Sequence, residues 1–324
     1  MGDDPSEAGV VILGVPFEAT VSYGRGTAQG PAAVLEASVQ IDLFDLETGR
    51  PYEAGIAMLP LEPRIQAWNA AACERAAPVI EAEGAGSDPA LQALAREVDG
   101  FSEQVAEWLY AETCRLLDAG RLVGVLGGDH SVPFGSIKAH AERFPGLGIL
   151  HLDAHADLRV AYEGFTWSHA SILHNVLERL PGVACAVGIG YRDFAESEWR
   201  RIEADPRLHA LPDAHLRRAL HEGRPFAALV RELIEPLPEQ VYLSFDVDGL
   251  DPSLCPHTGT PVPGGLSFPE ACTLLRVLAE SGRRVVGFDL CEVAPDPEGR
   301  SEWDANVGAR LLYKLIGFAL RTRA

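Results

Sequence analysis

Six short runs of the chain are almost wholly apolar: VVILGV (10–15), LVGVL (122–126), LGILHL (147–152), VACAVGI (183–189), VYLSF (241–245) and RVVGFDL (284–290). Amphipathic stretches with helical spacing of their apolar positions separate them, at 101–120, 132–144, 171–180, 226–237, 269–282 and 306–321. A strand with one wet face alternates polar and apolar residues, whereas a strand apolar throughout is buried on both faces. Such strands alternating with helices predict an α/β fold with a mostly parallel sheet, and right-handed crossovers make it a three-layer α/β/α sandwich. Residues 60–100 are less regular, an Ala-rich helical run followed by the turn cluster EGAGSDPA. They read as a helical insertion packed on a single domain spanning residues 1–324. No internal repeat or low-complexity tract interrupts the pattern.

Open parallel sheets bind ligands beyond the carboxyl ends of their strands, and here the apolar runs lead directly into polar clusters. LVGVL is followed by GGDHS, LGILHL by DAHAD, VYLSF by DVDGLDP, and RVVGFDL by Cys291 and Glu292. Asp153, His155 and Asp157 recur at every second position, and so do Asp246 and Asp248. Like charges on one buried strand end repel and lose hydration, so a positive partner is expected there. Asp153, Asp157, Asp246 and Asp248 with His130 and His155 make too large a set for one tetrahedral zinc. Oxygen-rich sets containing imidazole suit Mn²⁺ or a similar ion, and two divalent ions balance four carboxylates. A solitary Asp after a strand is more often a turn former or helix cap, and Asp129 and Asp251 are read so. A solitary His is likewise more often an ordinary core or surface residue. Clusters at three separate strand ends outweigh both readings.

Composition narrows the field further. The 324 residues are 47% hydrophobic and 23% charged, as in ordinary globular proteins. A net charge of −20 argues against nucleic acid and anionic membranes and is compatible with a cationic substrate. No apolar run reaches the ~18–20 residues of a membrane span. The acidic start MGDDPSEAG has no signal-peptide core and matches the myristoylation pattern poorly, so a cytoplasmic location is expected. Six scattered cysteines without a C-x-x-C pair read as reduced, mostly core residues.

GGDHS, DAHAD, and SFDVDGLDP with GTPVPGGL resemble the three signatures of the ureohydrolase family, the arginases, agmatinases and relatives. The likeness runs from GVPFEATVSYGRGTAQGP to EWDANVGARLLYKL, nearly the whole chain apart from 60–100. It implies the three-layer fold, two Mn²⁺ ions per chain, a homo-oligomer (trimer or hexamer), and hydrolysis of a guanidinium group to urea and an amine. Carried over by position, His130, Asp153, Asp157 and Asp246 would hold one metal. Asp153, His155, Asp246 and Asp248 would hold the other, with Asp153 and Asp246 as bridges. His169, in TWSHAS, matches the proton shuttle, its pKa lowered by the dipole of helix 171–180. Glu292 matches the carboxylate that pairs with the guanidinium, and Thr258, in HTGTP, a threonine lining the same pocket. Asp248 would also accept the proton of the attacking hydroxide.

Other residues carry weaker expectations. His151 shares a face with Asp153 and reads as a neighbour of the ligands, not a ligand. His257 is expected to narrow or recharge the pocket entrance. YGRGTAQGP lacks the Lys-Ser/Thr of a phosphate loop and reads as a pocket wall or a turn into a helix. The segment LRVAYEGFTWSHAS lacks the Asn and Ser expected of an arginase and resembles agmatinase-like members. Agmatine, cleaved to putrescine in polyamine metabolism, is therefore the expected substrate, with Glu163 a candidate contact for its distal amine. Arg159 would instead favour a carboxylate tail such as guanidinobutyrate, and a pocket closed by His257 or the insertion would favour free guanidine; arginine is a further alternative. A deacetylase-like amidohydrolase shares the D-x-H element but needs one zinc and fewer ligands. A non-catalytic metal-holding binding protein could dispense with His169 and Glu292, which are intact here.

Overall fold

The computed structural model describes residues 1–323. The first half of the chain forms β1 (Val10–Val15), α1 (Gly30–Ala37), β2 (Ile56–Met58), α2 (Pro63–Glu81), α3 (Pro89–Asp118), β3 (Leu122–Gly127), α4 (Phe134–Arg143) and β4 (Leu147–Leu152). Then follow α5 (Ile172–Arg179), β5 (Val183–Ile189), α6 (Glu196–Ala204), β6 (Leu208–Leu211), α7 (Asp213–His221) and α8 (Phe226–Ile234). The last elements are β7 (Gln240–Asp246), α9 (Phe268–Glu280), β8 (Arg284–Cys291) and α10 (Trp303–Arg321). The eight strands form one sheet in the order β2-β1-β3-β8-β7-β4-β5-β6. Every neighbouring pair is parallel.

All six apolar runs are strands. Successive side chains go to opposite faces, and both faces are covered. Val10 and Ile12 of β1 join a core with α8, α9 and α10, while Val11 and Leu13 pack against α2 and α3. Further along the sheet, Ile149, Tyr242 and Val286 pack under α4 and α5. This is the three-layer α/β/α arrangement. Two strands carry no sequence signal: β2 is only three residues, and β6, LHAL, is the half-buried edge strand.

Residues 60–100 contain α2 and the start of α3, which is a single helix of 30 residues continuing through 101–120. Pro89 supplies a preset first helical residue, and the Asp88 side chain caps it by accepting from the Ala90 amide at 2.7 Å. Ala95, Val98, Val105 and Leu109 keep helical spacing across Gly100, so burial of that face sustains the helix through the glycine. Among the described residues no helix is long and apolar enough to cross a membrane.

Candidate metal centre

Strands β3, β8, β7 and β4 are consecutive in the sheet. The chain leaves β3 for β4, and β7 and β8 later fill the space between them. The four polar segments thus converge on one edge, at the switch point where ligands enter such sheets. Two glycines permit the close approach. A Cβ on Gly128 would lie 1.9 Å from the Phe17 carbonyl oxygen, and one on Gly249 would lie 2.8 Å from the Asp153 amide.

His130 Nδ1 lies 3.0 Å from Asp153 Oδ2, 3.5 Å from Asp157 Oδ2 and 3.2 Å from Asp246 Oδ2. His155 Nδ1 lies 3.5 Å from Asp153 Oδ1 and 3.1 Å from Asp248 Oδ2. Asp153 therefore turns one oxygen to each histidine and links two donor sets. Asp246 Oδ1 accepts from the Asp248 amide at 2.8 Å, and Asp248 Oδ1 from the Ala154 amide at 3.0 Å, which locks both rotamers. Asp157 holds a left-handed backbone at φ 50°, and Glu292 does so at φ 64°. Both are non-glycine residues in a costly conformation, of the kind that surrounding structure sustains at ligand sites.

The charges do not balance without a cation. Burial pushes the Asp157 carboxyl well above its usual range, and the Asp153 charge pushes it further. Asp246 is raised in the same way, by burial and then by Asp248 and Asp153. Burial opposes charging of His155, yet its bonds to Asp153 and Asp248 override that and push it up to about 12. A cluster that captures protons in this way is one that divalent cations would discharge. The donor chemistry, carboxylate oxygens with two imidazoles, fits such ions.

A cavity of about 300 Å³ opens over the cluster, lined by His155, Asp157 and Thr260 at its floor and by His169, Tyr162, Arg159, Asp193, Glu198 and Tyr23 around it. His169 begins a short 3₁₀ turn that leads into α5. Its pKa falls to about 4, in the direction expected, through burial first and the positive His155 second. Glu292, expected to contact the substrate, is buried and does not line this cavity. Its Oε1 accepts from the His130 amide at 2.8 Å, and burial with the Asp246 and Asp129 charges raises its pKa well above the carboxylate range.

Several expected contacts are placed differently. Thr258 is buried and donates to the Glu292 carbonyl at 2.8 Å, so it braces that turn, and the threonine on the cavity wall is Thr260, 3.5 Å from Asp248 Oδ2. His257 lies away from the entrance, its Nδ1 2.8 Å from Asp304 of α10. Glu163 packs on the turn after α2, its carbonyl accepting from Ala85 at 3.0 Å, and does not line the cavity. Arg159 does line it, but its charge lies 3.6 Å from buried Glu198 and 4.7 Å from the Tyr162 ring centre. His151, expected only as a neighbour of the ligands, lies in the cluster itself with His130, Asp153 and Asp157: its Nε2 is 3.3 Å from Asp153 Oδ2, and its Nδ1 is 2.7 Å from the Tyr191 hydroxyl. YGRGTAQGP is both a wall and a turn: Tyr23 lines the cavity, and the rest turns into α1, held by Glu18 Oε2 accepting from the Gly26 and Ala28 amides.

Three supporting residues carry no motif and are found only in space. Asp289 accepts from Ser244 Oγ at 3.1 Å, and Ser244 Oγ is 2.9 Å from His130 Nε2, so a carboxylate stands behind the His130 imidazole. Its one signal was a carboxylate inside the apolar run RVVGFDL. Thr20 Oγ1 is 3.3 Å from His169 Nδ1 and donates to Asp129 Oδ2 at 3.2 Å, so Asp129 is more than a turn former. Arg192 donates to the carbonyls of Gly190, Asp248, Leu250 and Val262, tying the Asp248 turn to the cavity wall at 260–262.

Comparison with known proteins agrees with this geometry. The family model described as the arginase family matches residues 8–317. The chain is 35% identical over 313 residues to an N(1)-aminopropylagmatine ureohydrolase of Thermus thermophilus, covering 96% of this chain and 90% of that protein. It is 32% identical to an agmatinase of Bacillus anthracis, over 89% of this chain and 84% of that one. In fold it resembles the proclavaminate amidino hydrolase of Streptomyces clavuligerus at 24% identity and TM-score 0.72, covering 99% and 96% of the two chains. The agmatine ureohydrolase of Thermoplasma volcanium is similar at 22% identity and TM-score 0.71, covering 98% and 92%. With nearly its full length matched and the family's donor clusters gathered at one sheet edge, this chain belongs to the arginase family, hydrolases of guanidino C–N bonds, on the agmatinase-like side.

Proposed function

We propose that the protein hydrolyses agmatine or a close amine-tailed guanidine to urea and the corresponding amine, using two Mn²⁺ ions. The observation that carries this reading is the pair of donor sets linked by Asp153, with His155 of one set and Asp157 of the other lining a cavity that His169 also lines. His130, Asp153, Asp157 and Asp246 would hold one ion, and Asp153, His155, Asp246 and Asp248 the other. Bound there, the ions would offset the carboxylates and make a water a strong nucleophile near neutral pH.

The chain's own groups do the rest. Glu292, whose Oε1 is held by the His130 amide, would ionise once cations offset the carboxylates that raise its pKa, and would then supply negative charge for the planar guanidinium. Asp248 Oδ2, between His155 and Thr260, can take the proton of the attacking water. Thr20 donates to Asp129 and so accepts from His169 Nδ1–H, which leaves His169 Nε2 unprotonated as a proton carrier. It takes a proton and passes it to the departing amine.

The tail follows from the outer cavity. Asp193 and Glu198 line it, and Glu198 already balances Arg159, so the remaining Asp193 charge and the Tyr162 and Tyr23 rings favour an ammonium over a carboxylate. The names of the relatives, agmatinase and N(1)-aminopropylagmatine ureohydrolase, point the same way. Urea release from agmatine, aminopropylagmatine, guanidinobutyrate, arginine and guanidine tests the reading, with and without chelator. Amine-tailed substrates should exceed arginine in kcat/KM by about 10³-fold or more, the discrimination available where head-group contacts are missing. Arginine turnover equal to agmatine turnover, or full activity after chelation and before Mn²⁺ is restored, would overturn it.

We also propose a cytoplasmic enzyme that works as a trimer or hexamer of one domain. Light scattering at micromolar concentration should give three or six times the chain mass, and a monomeric mass would refute the assembly.

A further inference from the structure

At the opposite edge of the sheet from the metal cluster, four arginines line one cleft of about 200 Å³: Arg121, Arg143, Arg284 and Arg323. They come from different elements. Arg121 precedes β3, Arg284 begins the adjacent β8, Arg143 ends α4 and Arg323 follows α10. Such convergence stands out in a chain with 27 basic and 47 acidic residues, where carboxylates to pair with are plentiful.

Among the described residues these four are nevertheless poorly paired. Arg121 donates to the backbone carbonyls of Ser6 and Glu7, not to a carboxylate. Arg143 has Asp118 at 3.8 Å, with both side chains more than half exposed. Among the described residues the Arg284 guanidinium has no ion pair or hydrogen bond, and Arg323 Nε is buried with no partner. The carbonyl ends of α3 and α4, beside Leu117 and Arg143, offset part of the charge. That accounts for Arg143 but not for Arg284 or Arg323. Four guanidinium side chains lining one small cleft, with unused donors on Arg284 and Arg323, match a multiply charged oxyanion, which a guanidinium fork can engage with two bonds.

We propose that this cleft is a binding site for a phosphate-type dianion, separate from the catalytic cavity. Its volume leaves room for one phosphate-sized oxyanion. The dianion could be inorganic phosphate or the phosphate of a nucleotide, whose base would extend over Phe144 at the rim.

Calorimetric titration of the Mn²⁺-loaded protein with inorganic phosphate and with adenosine monophosphate, at matched ionic strength, tests the site. The same titrations on the Arg284→Gln/Arg323→Gln double variant cancel any binding at the metal centre. Expected is saturable binding to the wild type, weakened at least about tenfold in the variant, the loss of one charge-assisted contact. Urea release should be unchanged, because neither residue touches the catalytic cavity. Tighter binding of the nucleotide assigns the site to nucleotides, and equal binding assigns it to the free oxyanion. Absence of binding to the wild type, or equal binding by wild type and variant, overturns the proposal. Arg284→Gln alone, on the exposed end of β8, serves as the check if the double variant is unstable.

Discussion

Replacing Asp153 with alanine is expected to leave the protein holding neither cation and to lower kcat/KM by more than about 10³-fold. The reason lies in its two oxygens. One is 3.0 Å from His130 Nδ1 and the other 3.5 Å from His155 Nδ1, so one carboxylate serves both donor sets. Asp248 reaches only His155 among the histidines, at 3.1 Å. Asp248→Ala should therefore empty mainly one position. Metal analysis of the purified variants, two ions in the wild type against none and one, checks the contrast. Retention of both ions by Asp153→Ala would refute the linking role, and equal losses in both variants would refute the division into two sets.

His169→Ala should behave oppositely, keeping both metals while lowering kcat by about 10²–10⁴-fold, the usual worth of positioned acid–base catalysis. His169 lines the cavity, but no carboxylate of the cluster lies in hydrogen-bonding contact with it; its ring nitrogen partner is Thr20. Thr20→Val removes the acceptor that selects the tautomer, so kcat should fall with little change in KM or metal content. Loss of metal from His169→Ala would show that it is a ligand. The same residue leaves a mark on stability. Its pKa is about 4 in place, below the 6.5 of a free imidazole, so the unfolded chain takes up the proton first as pH falls. Stability present above about 6.5 is lost between there and about 4, and His169→Ala should flatten that part of the pH profile in thermal melts.

Much of the fold was legible in local pattern. Apolar runs of strand length alternating with amphipathic stretches read as strands buried on both faces, and all six appear in the sheet. β2 and β6 were not legible, because a strand of three residues has no period and an edge strand is only half buried. The extent of α3 was hidden by Gly100 and by EGAGSDPA, which proved to be a turn and an N-cap in front of one long helix.

The site divides along the same line. The i, i+2 spacing in DAHAD and DVD, placed directly after apolar runs, marked the donors, since alternate residues of an extended segment share a face whatever the rest of the chain does. Sequence by itself thus determined which residues gather and of what chemical type. Tertiary structure alone decided their pairing: β7 and β8 sit between β3 and β4, and this brings Asp246 to His130 and Glu292 to the His130 amide. It also joined Thr20 to His169 across 149 residues and put Asp289 behind His130. It drew His257 aside to Asp304 and buried Thr258 under Glu292, leaving Thr260 on the wall. Periodicity records burial and which face a residue takes, whereas contacts between distant segments depend on strand order and crossover packing, which no local pattern contains.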